Sequence, residues 1–241
     1  MMPPKIKRLL HAATPQWARK GSAARSGGQD RRDTTPAAVF GRIYREKHWG
    51  GPNYDFYSGS GSYVPDVIDP YVLAVSTFLS KLPAPPEIVD IGCGDFTAAG
   101  RIANLARHYH ACDVVPDLID RNRRLFSSPH VTFHRLDATV DVLPHADVVI
   151  VKQVFQHLSN EHIAAVVSRL ARYPIWIVSE HVPFGSFKPN RDIQTGGYTR
   201  MPLNSGVVLT EKPFRIRPSS TELLCEVVEE GHPIRTLAYR F

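Results

Sequence analysis

The chain has 241 residues, 43% of them hydrophobic and 22% charged, enough to bury one sizeable core and hardly two. No apolar run approaches the roughly 20 residues that span a bilayer, and the first residues lack a secretory layout, so a cytoplasmic location is expected. Three cysteines, Cys93, Cys112 and Cys225, are an odd number without zinc-type spacing, which fits reduced thiols rather than a disulfide framework or a metal site.

A net charge of +6 raises the question of nucleic acid, but residues 1–35 hold eight Lys or Arg against two Asp, the whole excess, while residues 36–241 carry 21 of each sign. A balanced body is not an electrostatic footprint for a phosphate backbone, so no nucleic-acid partner is expected. Residues 1–38, rich in Gly, Ser, Ala and Arg after Trp17, are expected to form a disordered basic tail. A short basic amphipathic turn at residues 5–10 leaves peripheral contact with an anionic membrane as an alternative to a solvated tail.

Residues 39–86 form a second region. Within it, residues 40–62 mix aromatics with glycines, as in Tyr44, Trp49, Gly50, Gly51, Tyr57, Gly59 and Gly61. Rings that cover an apolar ligand edge and glycines that free the backbone suit a lid; a loop packed outside a sheet is the alternative. Residues 66–82 place apolar side chains at helical spacing.

The third region, residues 87–241, opens on Glu87-Ile-Val-Asp-Ile-Gly-Cys-Gly-Asp95. An apolar strand ends there in two glycines that let the backbone approach a ligand closely. Residues 96–106 are read as a helix whose amino end faces an anionic group. A dinucleotide turn would need a third glycine, and Thr97 stands in its place. A second strand over residues 108–112 ends in Asp113, about 20 residues beyond the turn, where an acidic side chain can accept both ribose hydroxyls. Pro116 then opens a helix. Residues 131–136 and 146–151 are read as further strands, running into Asp137-Ala138 and into Lys152-Gln153. Ser159 is a candidate cap for a helix over 160–172. A fifth strand over 175–179 leads to Glu180-His181, followed by a polar loop over 183–205. Residues 223–229 and 234–241 flank Glu230-Gly-His-Pro233 as a closing antiparallel hairpin.

The E/D-x-G-x-G pattern, the acidic tips of the second and third strands and the closing hairpin resemble class I S-adenosylmethionine-dependent methyltransferases. Trp49-Gly50, Ser58-Gly-Ser-Gly-Ser62, Gln156-His157-Leu158 and the Asn190–Gly197 stretch are similar to a subgroup of bacterial and viral members, often associated with glycan or small-metabolite modification. The resemblance covers residues 39–241. It implies a doubly wound, Rossmann-like α/β sheet, mostly parallel with an antiparallel C-terminal strand, and an N-terminal lid. It also implies S-adenosylmethionine as cofactor, with Asp90, Gly92, Cys93, Gly94, Asp113, Val114, Asp137, Ala138, Lys152 and Gln153 around it. Asp113 would hold the ribose, Asp137 the adenine amino group and Lys152 the cofactor carboxylate. Cys93 with Asp95-Phe96 makes the turn bulkier than in many members of that family.

Methyl transfer to a hydroxyl needs alignment and a base of suitable proton affinity. His181 and His157, both just past strand tips, are the candidate bases, with His181 ahead. The acceptor expected is a glycan or small polar metabolite hydrogen-bonded by the loop over 190–200, with no metal. Two alternatives stay open: a cofactor-binding scaffold without catalysis, and a nicotinamide oxidoreductase, although no catalytic set for the latter follows the fourth strand.

Overall fold

The computed structural model describes residues 35–241; the basic tail reading lies outside them except at its last four residues. Thr35 caps the first helix, α1 (Pro36–Arg45), by accepting the Ala38 amide at 3.4 Å, and Pro36 occupies the first turn. The helix therefore begins inside the segment read as tail, and it takes up Phe40 and Tyr44 from the segment read as lid. A second helix, α2 (Pro65–Ser80), buries Val67, Ile68, Tyr71, Val75, Phe78 and Leu79.

Seven strands follow: β1 (Glu87–Ile91), β2 (His108–Asp113), β3 (Val131–Arg135), β4 (Val148–Lys152), β5 (Ile175–His181), β6 (Ser220–Glu229) and β7 (His232–Arg240), with α3 (Pro116–Leu125) and α4 (Asn160–Leu170) between them. They form one sheet in the order β3-β2-β1-β4-β5-β7-β6. The first five strands pair in parallel, and β7 runs antiparallel to both β5 and β6. Strands buried on both faces read as continuous apolar runs, as in Val148-Val-Ile-Val151. Val148 and Ile150 pack with α2 and the α3 residue Ile119 on one face, whereas Val149 and Val151 pack with α4 on the other. Because β1 leads to β2 and β3 on one side and to β4 and β5 on the other, the loops after β1 and β4 part at this point, where open α/β sheets hold ligands.

One expected element is absent in that form. Residues 96–106 make two short 3-10 turns, Ala99–Arg101 and Ala103–Leu105, instead of an α-helix. Phe96 adopts φ 66°, a left-handed conformation unusual for a bulky residue, and its buried ring packs against Tyr109, Phe126 and Phe133. That kink breaks the helical path, so no long helix dipole points at the glycine turn. Strand and helix boundaries elsewhere shift by up to three residues from the sequence reading, the largest at the start of β6, Ser220 instead of 223.

Candidate cofactor and acceptor site

The glycine turn is tied down before it meets anything else. The amides of Gly92 and Cys93 both donate to the Cys112 carbonyl, at 2.8 and 3.0 Å, fixing the turn to the end of β2. Gly92 and Gly94 hold φ of 73° and 56°, where a side chain is strained. A Cβ on Gly92 would sit 2.5 Å from Val154 Cγ2, and one on Gly94 would sit 2.4 Å from Ser58 Oγ. The turn is thus clasped between the loop after β4 and the segment read as a lid. Asp90, on β1, is buried, and burial pushes its carboxyl up to about 7. Burial also drives the Cys93 thiol well above its ordinary range, which leaves it unreactive.

Asp113 stands next to the turn at the tip of β2. One carboxylate oxygen accepts the Gly94 amide at 3.2 Å, the other the Val115 amide at 3.0 Å. Burial raises the carboxyl to about 6. Each oxygen keeps a lone pair for a further donor. Val114 and Val115 lie against Tyr44, Trp49, Phe56 and Leu118, an apolar wall beside the carboxylate. At β3, Asp137 turns one oxygen onto the Thr139 amide and hydroxyl, at 2.9 and 2.6 Å, and Ala138 packs into the α4-side core. Past β4, Lys152 Nζ donates to the Gly61 carbonyl at 2.9 Å and to Gln153 Oε1 at 2.8 Å, and burial lowers its proton affinity to about 8. The residues expected around a cofactor therefore gather at the carboxyl ends of β1, β2, β3 and β4.

Sequence reasoning missed the residues that bind the lid to this turn. Asp95 Oδ2 accepts the Ser58 amide at 2.9 Å and the Tyr63 hydroxyl at 3.0 Å, and the Asp95 amide donates back to Ser58 Oγ at 2.9 Å. Tyr44 shares a 3.0 Å hydrogen bond with Ser58 Oγ. Asn122, fully buried on α3, donates to the Gly94 carbonyl at 2.7 Å. A signal existed in part: the S-G-S-G-S run has no apolar side chains to bury, so only backbone and hydroxyl contacts could place it.

The two histidines differ. His157 Nδ1 lies 3.3 Å from the Tyr198 carbonyl and Nε2 lies 3.2 Å from Gln156 Nε2. A carbonyl requires a donor and an amide nitrogen requires an acceptor, so the network assigns the Nδ1–H tautomer with both nitrogens engaged. Its ring also packs on Trp49, centroids 5.1 Å apart. This spends the groups a base would use and corrects the expectation for His157. Burial brings His157 down to about 4, and it does the same for His181, so both imidazoles are neutral at pH 7. His181 ends β5, with Nε2 3.5 Å from Glu229 Oε2. Gln156 connects the two histidines, since its Oε1 accepts the His181 amide at 3.2 Å. Neighbouring Glu180 faces the other side of the sheet, where its oxygens accept the Phe155 and Gln156 amides.

In the loop over 190–200, the side chains of Asn190, Asp192, Thr195 and Arg200 bond within the fold, while those of Arg191, Gln194 and Tyr198 are exposed. Arg200, 1% exposed, donates to the carbonyls of Arg191, Phe155 and Leu158 and to Asn160 Oδ1. Asn190 donates to the Val208 and Lys212 carbonyls and accepts the Val208 amide. Asp192 accepts the Asn160 amide, and Thr195 Oγ1 the Ser159 amide. Among the described residues, no group of three or more His, Cys, Asp or Glu is arranged to hold a metal ion.

Residues 88–173 match a methyltransferase domain family. No curated protein matches the sequence significantly. Among solved structures, the N-methyltransferase NodS from Bradyrhizobium japonicum WM9, in complex with S-adenosyl-L-homocysteine, is 14% identical with a TM-score of 0.59, over 82% of this chain and 97% of that one. A SAM-dependent methyltransferase from Leishmania major is 13% identical with a TM-score of 0.60, over 88% and 87%. Human N-acetylserotonin methyltransferase in complex with SAM is 17% identical with a TM-score of 0.54, over 86% of this chain and 60% of that one. The chain thus has the fold of S-adenosylmethionine-dependent methyltransferases, and its residues 88–173 match a methyltransferase domain family.

Proposed function

We propose that this chain binds S-adenosylmethionine over Gly92 and Gly94 and transfers its methyl group to a hydroxyl of a glycan or small polar metabolite, without a metal. The observation that carries the cofactor part is the convergence of the left-handed glycine turn, buried Asp113 and half-buried Lys152 at the point where the strand order reverses. These residues fit the group: a cradle closed to any Cβ, a carboxylate with lone pairs for two hydroxyls, and a cation for a carboxylate. Bound S-adenosylmethionine supplies an electrophilic methyl on a sulfonium. Asp113 takes the ribose hydroxyls, Val114 gives the adenine an apolar neighbour, and Asp137 accepts from its amino group. Lys152 exchanges the Gly61 carbonyl for the cofactor carboxylate, which couples binding to movement of the lid.

On the acceptor side, His181 supports a hydroxyl acceptor by its place: an unprotonated imidazole at the end of β5, on the edge that carries the glycine turn, with the Glu229 carboxylate 3.5 Å away. The chief contribution of the protein is alignment, with the lid excluding water. In the loop over 190–200, exposed Arg191, Gln194 and Tyr198 offer polar groups to such an acceptor, while Asn190 and Arg200 hold the loop in place. The test is release of S-adenosylhomocysteine with hexoses, oligosaccharides and small polyols as acceptors, with and without a chelator. Chelator-insensitive turnover that collapses in His181→Ala is expected. Chelator-sensitive turnover rejects the metal-free claim, and full turnover in His181→Ala rejects the base.

A further inference from the structure

The buried polar groups at the joint of β5 with the β6–β7 hairpin are not absorbed by the account above. Glu229 ends β6, His232 opens β7, and the two are cross-strand partners on either side of the two-residue turn Glu230-Gly231. Both turn residues have positive φ, 51° and 79°, as tight hairpins prefer. Since β7 is antiparallel to β5, with His181 opposite Ile234, this turn lies at the carboxyl end of the parallel strands, on the same edge as the glycine turn. The Glu229 side chain is 9% exposed and that of His181 is 14% exposed, with Nε2 and Oε2 3.5 Å apart. Glu229 Oε1 and His232 Nδ1 are buried with no hydrogen-bond partner among the described residues.

A hairpin end does not require a buried carboxylate, and an unpaired buried oxygen costs stability that the fold alone does not repay. Such arrangements collect where chemistry needs them. Burial, then the charges of His232 on β7 and Lys152 on β4, bring His181 down to about 4, against a hydrogen bond with the Glu229 backbone that favours the proton. His157, at the end of the loop after β4, is also cationic when protonated and feels His181. Tyr57 of the lid lies within the field of Glu229. Glu229 is thus the anion placed to balance a proton on this imidazole.

We propose that Glu229 is the positioning residue of a carboxylate–imidazole dyad in which His181 receives the proton released by the methyl acceptor. The proposal rests on the methyl-transfer reading and deepens it on the acceptor side. The acceptor O–H bond breaks with its electron pair left on oxygen, and the proton moves to the imidazole. The pair changes from one net negative charge to none, and the proton then passes to solvent. A full charge at 3.5 Å in a site shielded from water changes proton affinity by at least about tenfold.

The experiment is an NMR titration of the His181 ring in the full chain without cofactor, for wild type, Glu229→Gln and Glu229→Asp. The dyad predicts that Glu229→Gln lowers the His181 midpoint by about one pH unit or more and that Glu229→Asp restores a large part of it. A purely structural Glu229 would change the thermal midpoint and leave the His181 titration where it was, which overturns the proposal. Should Glu229→Gln fail to fold, Glu229→Asp, which lengthens the carboxylate–imidazole separation, must move the His181 midpoint, and an unmoved midpoint in that variant overturns the dyad. Because no cofactor is present, a failure of wild type to bind S-adenosylhomocysteine overturns the methyltransferase reading separately and leaves this result standing.

Discussion

Asp113 is where the two demands on a single residue meet. Its oxygens already accept the Gly94 and Val115 amides, so it shapes the turn and faces the ligand at once. Asp113→Ala should weaken S-adenosylhomocysteine binding by about 1–3 kcal/mol, read by calorimetry on the folded variant. Its carboxyl is raised to about 6, and ligand hydroxyls bind the ionised form. Affinity should therefore be level above pH 7 and fall as pH drops below about 6; a pH-independent affinity from 5 to 8 contradicts the role. Arg200 makes the opposite point. Read from sequence, Asn190, Asp192 and Arg200 look like groups offered to a ligand, because residue type tells donor from acceptor and not which partner it will find. In the fold Arg200 satisfies the Arg191 carbonyl and carbonyls of the turn over 155–158. Arg200→Ala should lose about 3 kcal/mol or more in urea unfolding, since it orphans several buried acceptors together.

Among the elements, the strands were legible because burial on both faces leaves continuous apolar runs, and the tips at Asp113 and Asp137 fell where the sequence put them. The turn after β1 was not, because a left-handed Phe96 depends on a pocket formed by Tyr109, Phe126 and Phe133, three residues distant in sequence. The segment over 40–62 stood out as glycines and aromatics, but its docking is decided by the reciprocal Ser58–Asp95 pair. Gly94→Ala adds a left-handed strain of about 1–2 kcal/mol and a Cβ 2.4 Å from Ser58 Oγ. Faster hydrogen exchange at the Ser58 and Asp95 amides is expected, and unchanged exchange there would show that the lid is held elsewhere. The α1 cap gives a second test at this scale. A chain starting at Ala38 lacks Thr35 and Pro36, so it should be about 0.5–2 kcal/mol less stable than one starting at Asp33. Equal thermal midpoints would mean that the cap contributes nothing.

At the scale of the molecule, a sheet with strand order reversing at β1 brings the ends of its parallel strands, His181 of β5 among them, to one edge, and Glu229 joins them there because β7 runs antiparallel between β5 and β6. The central claim is that this edge, through the glycine turn and Asp113, binds S-adenosylmethionine. The most direct measurement is an amide NMR titration of the full chain with S-adenosylhomocysteine, with NAD as comparator. The account predicts saturable shifts centred on Gly92, Gly94, Asp113 and Lys152 for S-adenosylhomocysteine and none for NAD. No shifts with S-adenosylhomocysteine, shifts confined to another face, or the same shifts with NAD would contradict it.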